Sequence, residues 1–312
     1  MGLFAAGAAA VRFLALLAAA GAVLGAMPLP WSRELSFSPS APVLEGQDVS
    51  VTQYLLLRDS ATPSTLPVDG KYAASTAEAV KAFQSAHQLP ATGVLDAVSA
   101  QSLLDLHYRD GLKDTGFTAA SLGYKYKLHI PVYANRSIEV KATLFDAQNN
   151  VMHVFTVRAH GHRNNDEGTT AWPDFGSQPG DVGLSQFAGS GDTTTGIIEV
   201  DLNSAEPNAT LYGPWPVNRL VRGLDGNAKF LLPDFRDGQL LHTGNWSTPD
   251  QTWDSSMEMP NSSGCLHAHP EDIERVFKIL TTQLGVVVNP NTFSGKNYPY
   301  KPQGIAVVEQ LD

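Results

Sequence analysis

The spacing of apolar residues changes once along this chain of 312 residues, and that change constrains what it can fold into. Before residue 108 the spacing is helical. Val51 to Leu57 predicts a short helix with Tyr54, Leu55 and Leu57 available for packing. Ser75-Thr76-Ala77-Glu78 predicts a capping box at the start of a second helix, the serine and glutamate satisfying its first orphan amides. Ala79, Val80, Phe83 and Ala86 then fall on one face. His87 to Gly93 breaks that helix, and Asp96 caps a third, anchored by Leu103 and Leu104. Three short helices in roughly 60 residues can bury one small core.

After residue 124 the period is two. Tyr126 to Ile130 alternates, and Ile138, Val140, Ala142 and Leu144 alternate with polar partners. Ala147 to Asn150 is a turn and Val151 to Ala159 alternates again, which predicts a hairpin. Asn164 to Gly191 reads as loop. Thr195 to Val200 and Gln239 to His242 return to strand. One clear helix starts at Pro270, with Glu271 and Asp272 suited to its positive end and Ile273, Val276, Phe277 and Leu280 as its buried stripe. Gly285 ends it, and Val286-Val287-Val288 reads as a buried strand. The fold class expected is two domains: a three-helix module at 48–107 and a mostly β, sandwich-like α+β domain at 125–312. Residues 27–47 and 108–124 are expected to be linkers, the first rich in Pro and Ser, the second in Gly.

Residues 1–26 are not read as fold. Arg12 precedes an apolar run from Phe13 to Ala26, and Ala20-Gly21-Ala22 fits a small-x-small cleavage site. This predicts a secretory signal peptide, and so a secreted or cell-envelope protein. The alternative is an uncleaved anchor, for which the run falls short of about 20 apolar residues. The net charge is −10 and no basic stripe occurs, which argues against a nucleic-acid partner. Sequons stand at Asn135, Asn208, Asn245 and Asn261, used only in a host that glycosylates exported chains.

Cys265 is the only cysteine, so it cannot close an internal disulfide. It packs as a small apolar residue, bridges to another chain, or acts as a nucleophile. A nucleophilic thiol needs a base and amide donors for the oxyanion. His242 closes a strand 23 positions before Cys265. The small residues of Ser263-Gly264-Cys265 let the backbone approach a carbonyl, and the Gly264 and Cys265 amides are candidate oxyanion donors.

Two resemblances add to this reading. Val68-Asp69-Gly70-Lys71-Tyr72, Ser75 to Gln84 and Leu89 to Asp96 resemble the peptidoglycan-binding domain 1 family, with Ala79-Val80-Lys81-Ala82-Phe83-Gln84 the most specific part. Only that resemblance points the module to peptidoglycan. His242-Thr243-Gly244-Asn245-Trp246, then Ser262-Ser263-Gly264-Cys265-Leu266-His267, resemble the L,D-transpeptidase (YkuD-type) catalytic domain. Gly191 to Ile198 and the helix from Pro270 are similar to further segments of that family. The resemblance implies Cys265 as nucleophile, His242 as base and the Thr243 carbonyl as the group orienting the imidazole. It implies acyl transfer through a thioester on a peptidoglycan stem peptide, with release of a terminal D-amino acid and transfer to an amine or to water. It requires no cofactor and no metal.

The chain departs from the family pattern in three places. Ser263 stands where a second histidine is usual. His267 stands where Arg or Asn is usual, and would be a pH-dependent anchor for a substrate carboxylate. The loop after His242 is longer and carries Trp246, Trp253 and Met257, as a lid or as packing. Arg219 and Arg222, in a Gly/Pro/Trp-rich region, are further candidates to line the cleft. His153, His160 and His162 with Asp166 and Glu167 lack recognisable ligand spacing and read as surface strand and loop. The competing function is a non-catalytic peptidoglycan-binding protein that keeps the fold; a third is a wall enzyme used for digestion or defence in a eukaryotic host.

Overall fold

A computed structural model of the chain describes residues 27–28, 30–136, 138–159, 186–187, 191–244, 259, 262–291 and 295–311. The expected signal segment, Trp246, Trp253, Met257, His160, His162, Asp166, Glu167, and the sequons at Asn245 and Asn261 lie outside the described residues.

The first part contains β1 (Leu44–Glu45), α1 (Gln47–Leu56), β2 (Lys71–Tyr72), α2 (Ala74–Ala86) and α3 (Ala97–His107), with β1 and β2 antiparallel. Its core is Val49, Leu55, Leu56, Tyr72, Val80, Phe83, Leu103 and neighbours. Trp31 and Leu35, in the Pro/Ser-rich stretch, are fully buried in the same core. The Trp31 indole donates to the Asp48 carbonyl and the Thr52 hydroxyl.

Two buried glutamines hold the turns between the helices. Gln53 accepts from the Asp69 and Gly70 amides and donates to Asp69 and the Lys71 carbonyl. Gln84 accepts from the Gly93 amide and donates to the Val94 carbonyl and Ser99. A buried amide group that satisfies a tight turn has no apolar substitute, which gives Gln84 its physical reason in the Phe83-Gln84 pair. Gly93 has φ +72° with the Ala77 carbonyl 3.0 Å from where a Cβ would sit, so both conformation and space select glycine.

The third helix is capped as expected, Asp96 accepting from the Ser99 amide at 2.8 Å. The capping box at Ser75 does not form. α2 starts at Ala74, its N-cap is Ala73 without a side-chain bond, and Glu78 pairs with Lys81. Thr76 turns back to the Lys71 carbonyl and Gln53, tying the helix start to β2 instead.

The second part contains β3 (Tyr126–Val132), β4 (Val140–Asp146), β5 (Val151–Ala159), β6 (Gly196–Asn203), α4 (Ala209–Tyr212), β7 (Val217–Asp225), α5 (Ala228–Leu231), β8 (Leu240–His242), β9 (Leu266–Ala268), α6 (Pro270–Thr282) and β10 (Gly304–Gln310). The sandwich expectation is corrected. The strands close into a barrel in the order β10-β3-β4-β5-β9-β8-β7-β6. β10 makes the closure, parallel to β3 and antiparallel to β6, so the sheet keeps no open edge. Alternation of period two is the same in a sandwich and a barrel, and closure depends on a strand from the far end of the chain. The inward positions Leu128, Ile130, Leu144, Phe155, Val200, Leu220, Leu241 and Leu266 pack with Ile273, Val276 and Leu280 of α6. Val286 to Val288 is not a strand. Gln303 bonds the Val287 amide and carbonyl with its side chain, taking the place of a strand partner.

The two parts share a core. Phe187, Phe230 and Leu231 belong to the cluster of the helical module. Phe230 stacks on Tyr54 and Phe187 and lies under the Arg58 guanidinium. Arg58 also donates to Asn227 at 2.6 Å, and the Tyr108 hydroxyl donates to Asp192 at 2.6 Å. No described helix is long and apolar enough to cross a membrane.

Candidate active site

The site is built on the β8–β9 pair. These strands run parallel, with Leu241 opposite Leu266 and His242 opposite His267. Leu241 and Leu266 face the core, so His242 and His267 share the opposite face. Their rings meet edge-on with centroids 4.8 Å apart. Cys265 immediately precedes β9 and by alternation falls on that same face.

His242 is buried, and its Nδ1 lies 2.7 Å from the Thr243 carbonyl. A carbonyl only accepts, so Nδ1 carries the proton and Nε2 keeps its lone pair. Burial lowers the imidazole to about 4, opposed by the Thr243 bond, so it is neutral near pH 7. The Tyr212 ring of α4 lies 5.0 Å from it.

Cys265 is partly exposed, with Sγ 3.7 Å from the Gly238 carbonyl. Burial pushes the thiol up to about 11; a hydrogen bond from the Leu240 backbone and the charges of Arg236 and Arg219 act the other way. The contact with Gly238 agrees with this, since only a protonated thiol donates to a carbonyl.

The turn from Ser262 to Cys265 is tightly held. Ser262 Oγ donates to the Cys265 carbonyl at 2.6 Å and accepts from the Gly264 amide at 3.1 Å. The Gly264 amide must therefore exchange that partner to serve an oxyanion. Thr193 donates to the Gly264 carbonyl at 2.8 Å. Gly264 has φ +104°, and a Cβ there would lie 2.2 Å from Arg236 Nη2. Glycine is required on both counts.

The remaining expected residues divide. Ser263 is exposed, and its carbonyl accepts from Arg236. His267 is buried opposite Arg158 of β5. Arg219 is buried, bonded to Asn203 at 3.0 Å and paired with Glu206 at 2.6 Å, and its charge reaches Cys265. Arg222 is exposed and committed to Glu199 at 2.7 Å, which also accepts from Tyr124; the structure does not bring it together with Cys265. His153 bonds Asp272 at 2.7 Å. Among the described residues no group of three or more His, Cys, Asp or Glu is placed to hold a metal.

Arg236, Glu206, Tyr212 and Gly238 were not foreseen. Arg236 reaches the Cys265 turn through the Ser263 backbone carbonyl, which leaves no signature in a side-chain motif.

The fold and site together define a barrel in which His242 ends one strand and Cys265 immediately precedes its parallel neighbour, joined to a helical module. Residues 45–103 of that module match the family model of the putative peptidoglycan binding domain. No curated protein matches the chain. Two solved structures align with it. One is an L,D-transpeptidase from Xylanimonas cellulosilytica, 17% identical, covering 87% of this chain and 100% of that one, with a TM-score of 0.29. The other is a fused Zn-dependent amidase/peptidase/peptidoglycan-binding domain-containing protein from Clostridium acetobutylicum, 16% identical, covering 85% and 96%, with a TM-score of 0.23. At these scores neither likeness bears on the chemistry of this chain.

Proposed function

We propose that this chain is a cysteine-dependent L,D-transpeptidase acting on peptidoglycan stem peptides. The observation that carries the reading is the His242 tautomer. The Thr243 carbonyl holds Nδ1–H, leaving Nε2 basic on the face that also bears Cys265. The sequence resemblance around both residues and the module matched at 45–103 support the substrate class. In the proposed reaction the Cys265 proton passes to His242 Nε2 as sulfur attacks the carbonyl carbon of an L-configured residue. The C–S bond forms, the C–N bond to the terminal D-amino acid breaks, and His242 returns the proton to the leaving amine. An acceptor amine, or water, then attacks the thioester, His242 takes its proton, and the thiol is restored.

Incubation of the full chain with synthetic stem tetrapeptides, read by mass spectrometry, tests this. The expected result is loss of one terminal D-amino acid, a thioester adduct on Cys265, and no turnover by Cys265→Ala. A second reading is favoured by one observation: the unliganded thiol is neutral and its turn is closed by Ser262. A non-catalytic peptidoglycan-binding protein would show that state permanently. Binding of wall fragments with no Cys265 adduct would establish that reading and end the first.

A further inference from the structure

The Arg236 guanidinium is fully buried, and among the described residues no carboxylate lies within ion-pair distance of it. Its four hydrogen bonds go to backbone carbonyls. Nη1 donates to Gln186 at 2.7 Å and Asp192 at 3.0 Å; Nη2 donates to Gly191 at 3.0 Å and Ser263 at 3.2 Å. Nη2 rests against Gly264, the residue before the nucleophile. Two residues along the chain, the Gly238 carbonyl contacts Cys265 Sγ. Burial lowers Arg236 to about 10, so it stays charged at neutral pH.

A buried cation bonded to carbonyl dipoles, and offset only in part by the more distant Asp192 charge, carries a desolvation cost that a neutral side chain would avoid. That cost is offset when a negative charge develops nearby. Among the described residues the charged and titratable groups around Cys265 are Arg236, Arg219, Glu206 and Tyr212, with His242 beside Tyr212 and Asp192 acting on Arg236. Arg219 is already neutralised by Glu206. Arg236 makes no ion pair among the described residues; the buried Asp192 carboxylate, which accepts from Tyr108, reaches it as a more distant charge that offsets it only in part.

We infer that Arg236 is a positioning residue for Cys265: it fixes the Ser263-Gly264-Cys265 turn through the Ser263 carbonyl and supplies the charge that stabilises the thiolate during attack. It does not touch the sulfur. The inference deepens the proposed function and rests on Cys265 being the nucleophile.

The experiment is the alkylation rate of Cys265 by iodoacetamide at pH 8, in the full chain, for wild type, Arg236→Gln and Arg236→Lys. A nearby opposite charge moves an acid by roughly one unit or more, so Arg236→Gln is expected to alkylate about tenfold slower. Arg236→Lys, which keeps the charge, is expected to retain most of the rate while losing stem-peptide turnover through a misplaced turn. An Arg236→Gln variant with wild-type circular dichroism and wild-type alkylation overturns the inference. So does a Lys variant as slow as Gln, which would mean a role in shape alone. Where Arg236→Gln does not fold, the Lys variant alone carries the test: a rate within about threefold of wild type upholds the inference, and a rate about tenfold or more slower overturns it. Alkylation requires no substrate. Arginine-dependent alkylation without any turnover sinks the proposed function, and with it the role in attack, while the effect of the Arg236 charge on the thiol stands. Turnover with arginine-independent alkylation does the reverse.

Discussion

Replacing His242 by glutamine tests whether the resting site holds a neutral pair or an ion pair. A thiol at about 11 is roughly one-thousandth ionised at pH 8, against about a quarter for a free cysteine. An imidazole at about 4 carries a proton in roughly one molecule in ten thousand at that pH. A group so rarely charged contributes nothing to the resting thiolate population. His242→Gln should therefore change the iodoacetamide rate at pH 8 by less than about twofold. On the proposed function it should still remove the base for attack, and general-base losses run to roughly 10²–10⁴. The assay is two rates on the same preparations: alkylation by intact mass, and release of the terminal D-amino acid from a stem tetrapeptide. The wild-type alkylation rate should also climb about tenfold per pH unit from 7 to 10 without a plateau. A drop in alkylation of tenfold or more in His242→Gln, or a plateau below pH 8, would refute the neutral pair.

Three further perturbations follow from the packing. Phe230→Ala removes a ring shared by the module and the barrel, at a cost of about 3–5 kcal/mol; urea unfolding followed by helical dichroism and by tryptophan fluorescence should coincide in the wild type and separate in the variant. His107, lowered to about 4 by burial and by Arg58, and His242 stay neutral when folded, whereas the unfolded chain protonates them near 6.5. Stability is then complete above pH 6.5 and falls as pH drops toward 4, by up to about 3 kcal/mol per histidine; urea midpoints at pH 7, 5 and 4 should fall less steeply in His107→Gln, and parallel curves would contradict this. Asp96→Ala removes the cap of α3 and should cost about 1 kcal/mol, read as a lower thermal midpoint.

How far the sequence could be read depended on whether an interaction was local. The Asp96 cap spans three residues and was visible. The His242 and Cys265 segments were visible because each motif is contiguous, and β8 and β9 bring them side by side. Ser75 misled because a capping box is one of two ways to finish that helix start; the other, through Thr76 and Gln53, needs a residue 23 positions away. Barrel closure was invisible because β10 pairs with β3 across most of the chain. Arg236 was invisible for a different reason: its partners are main-chain carbonyls, and any residue type supplies those.

On the proposed function, the stretch from Asn227 to Gly238 bears on how the module and the Cys265 site are joined. Its first half belongs to the module: Asn227 bonds Arg58, and Phe230 and Leu231 lie in the helical core. Its second half belongs to the site: Arg236 holds the Ser263 carbonyl, and Gly238 meets the thiol. A binding domain on a flexible tether only raises the local concentration of substrate, over a volume set by the tether. A module that shares a hydrophobic core with the barrel is held at one orientation to it. On the proposed function, stem peptides attached to polymer held by the module would reach Cys265 from a restricted set of directions. Phe230→Ala should then lower turnover on intact wall fragments more than on free tetrapeptides. Equal losses on both would mean that the shared core matters for folding alone.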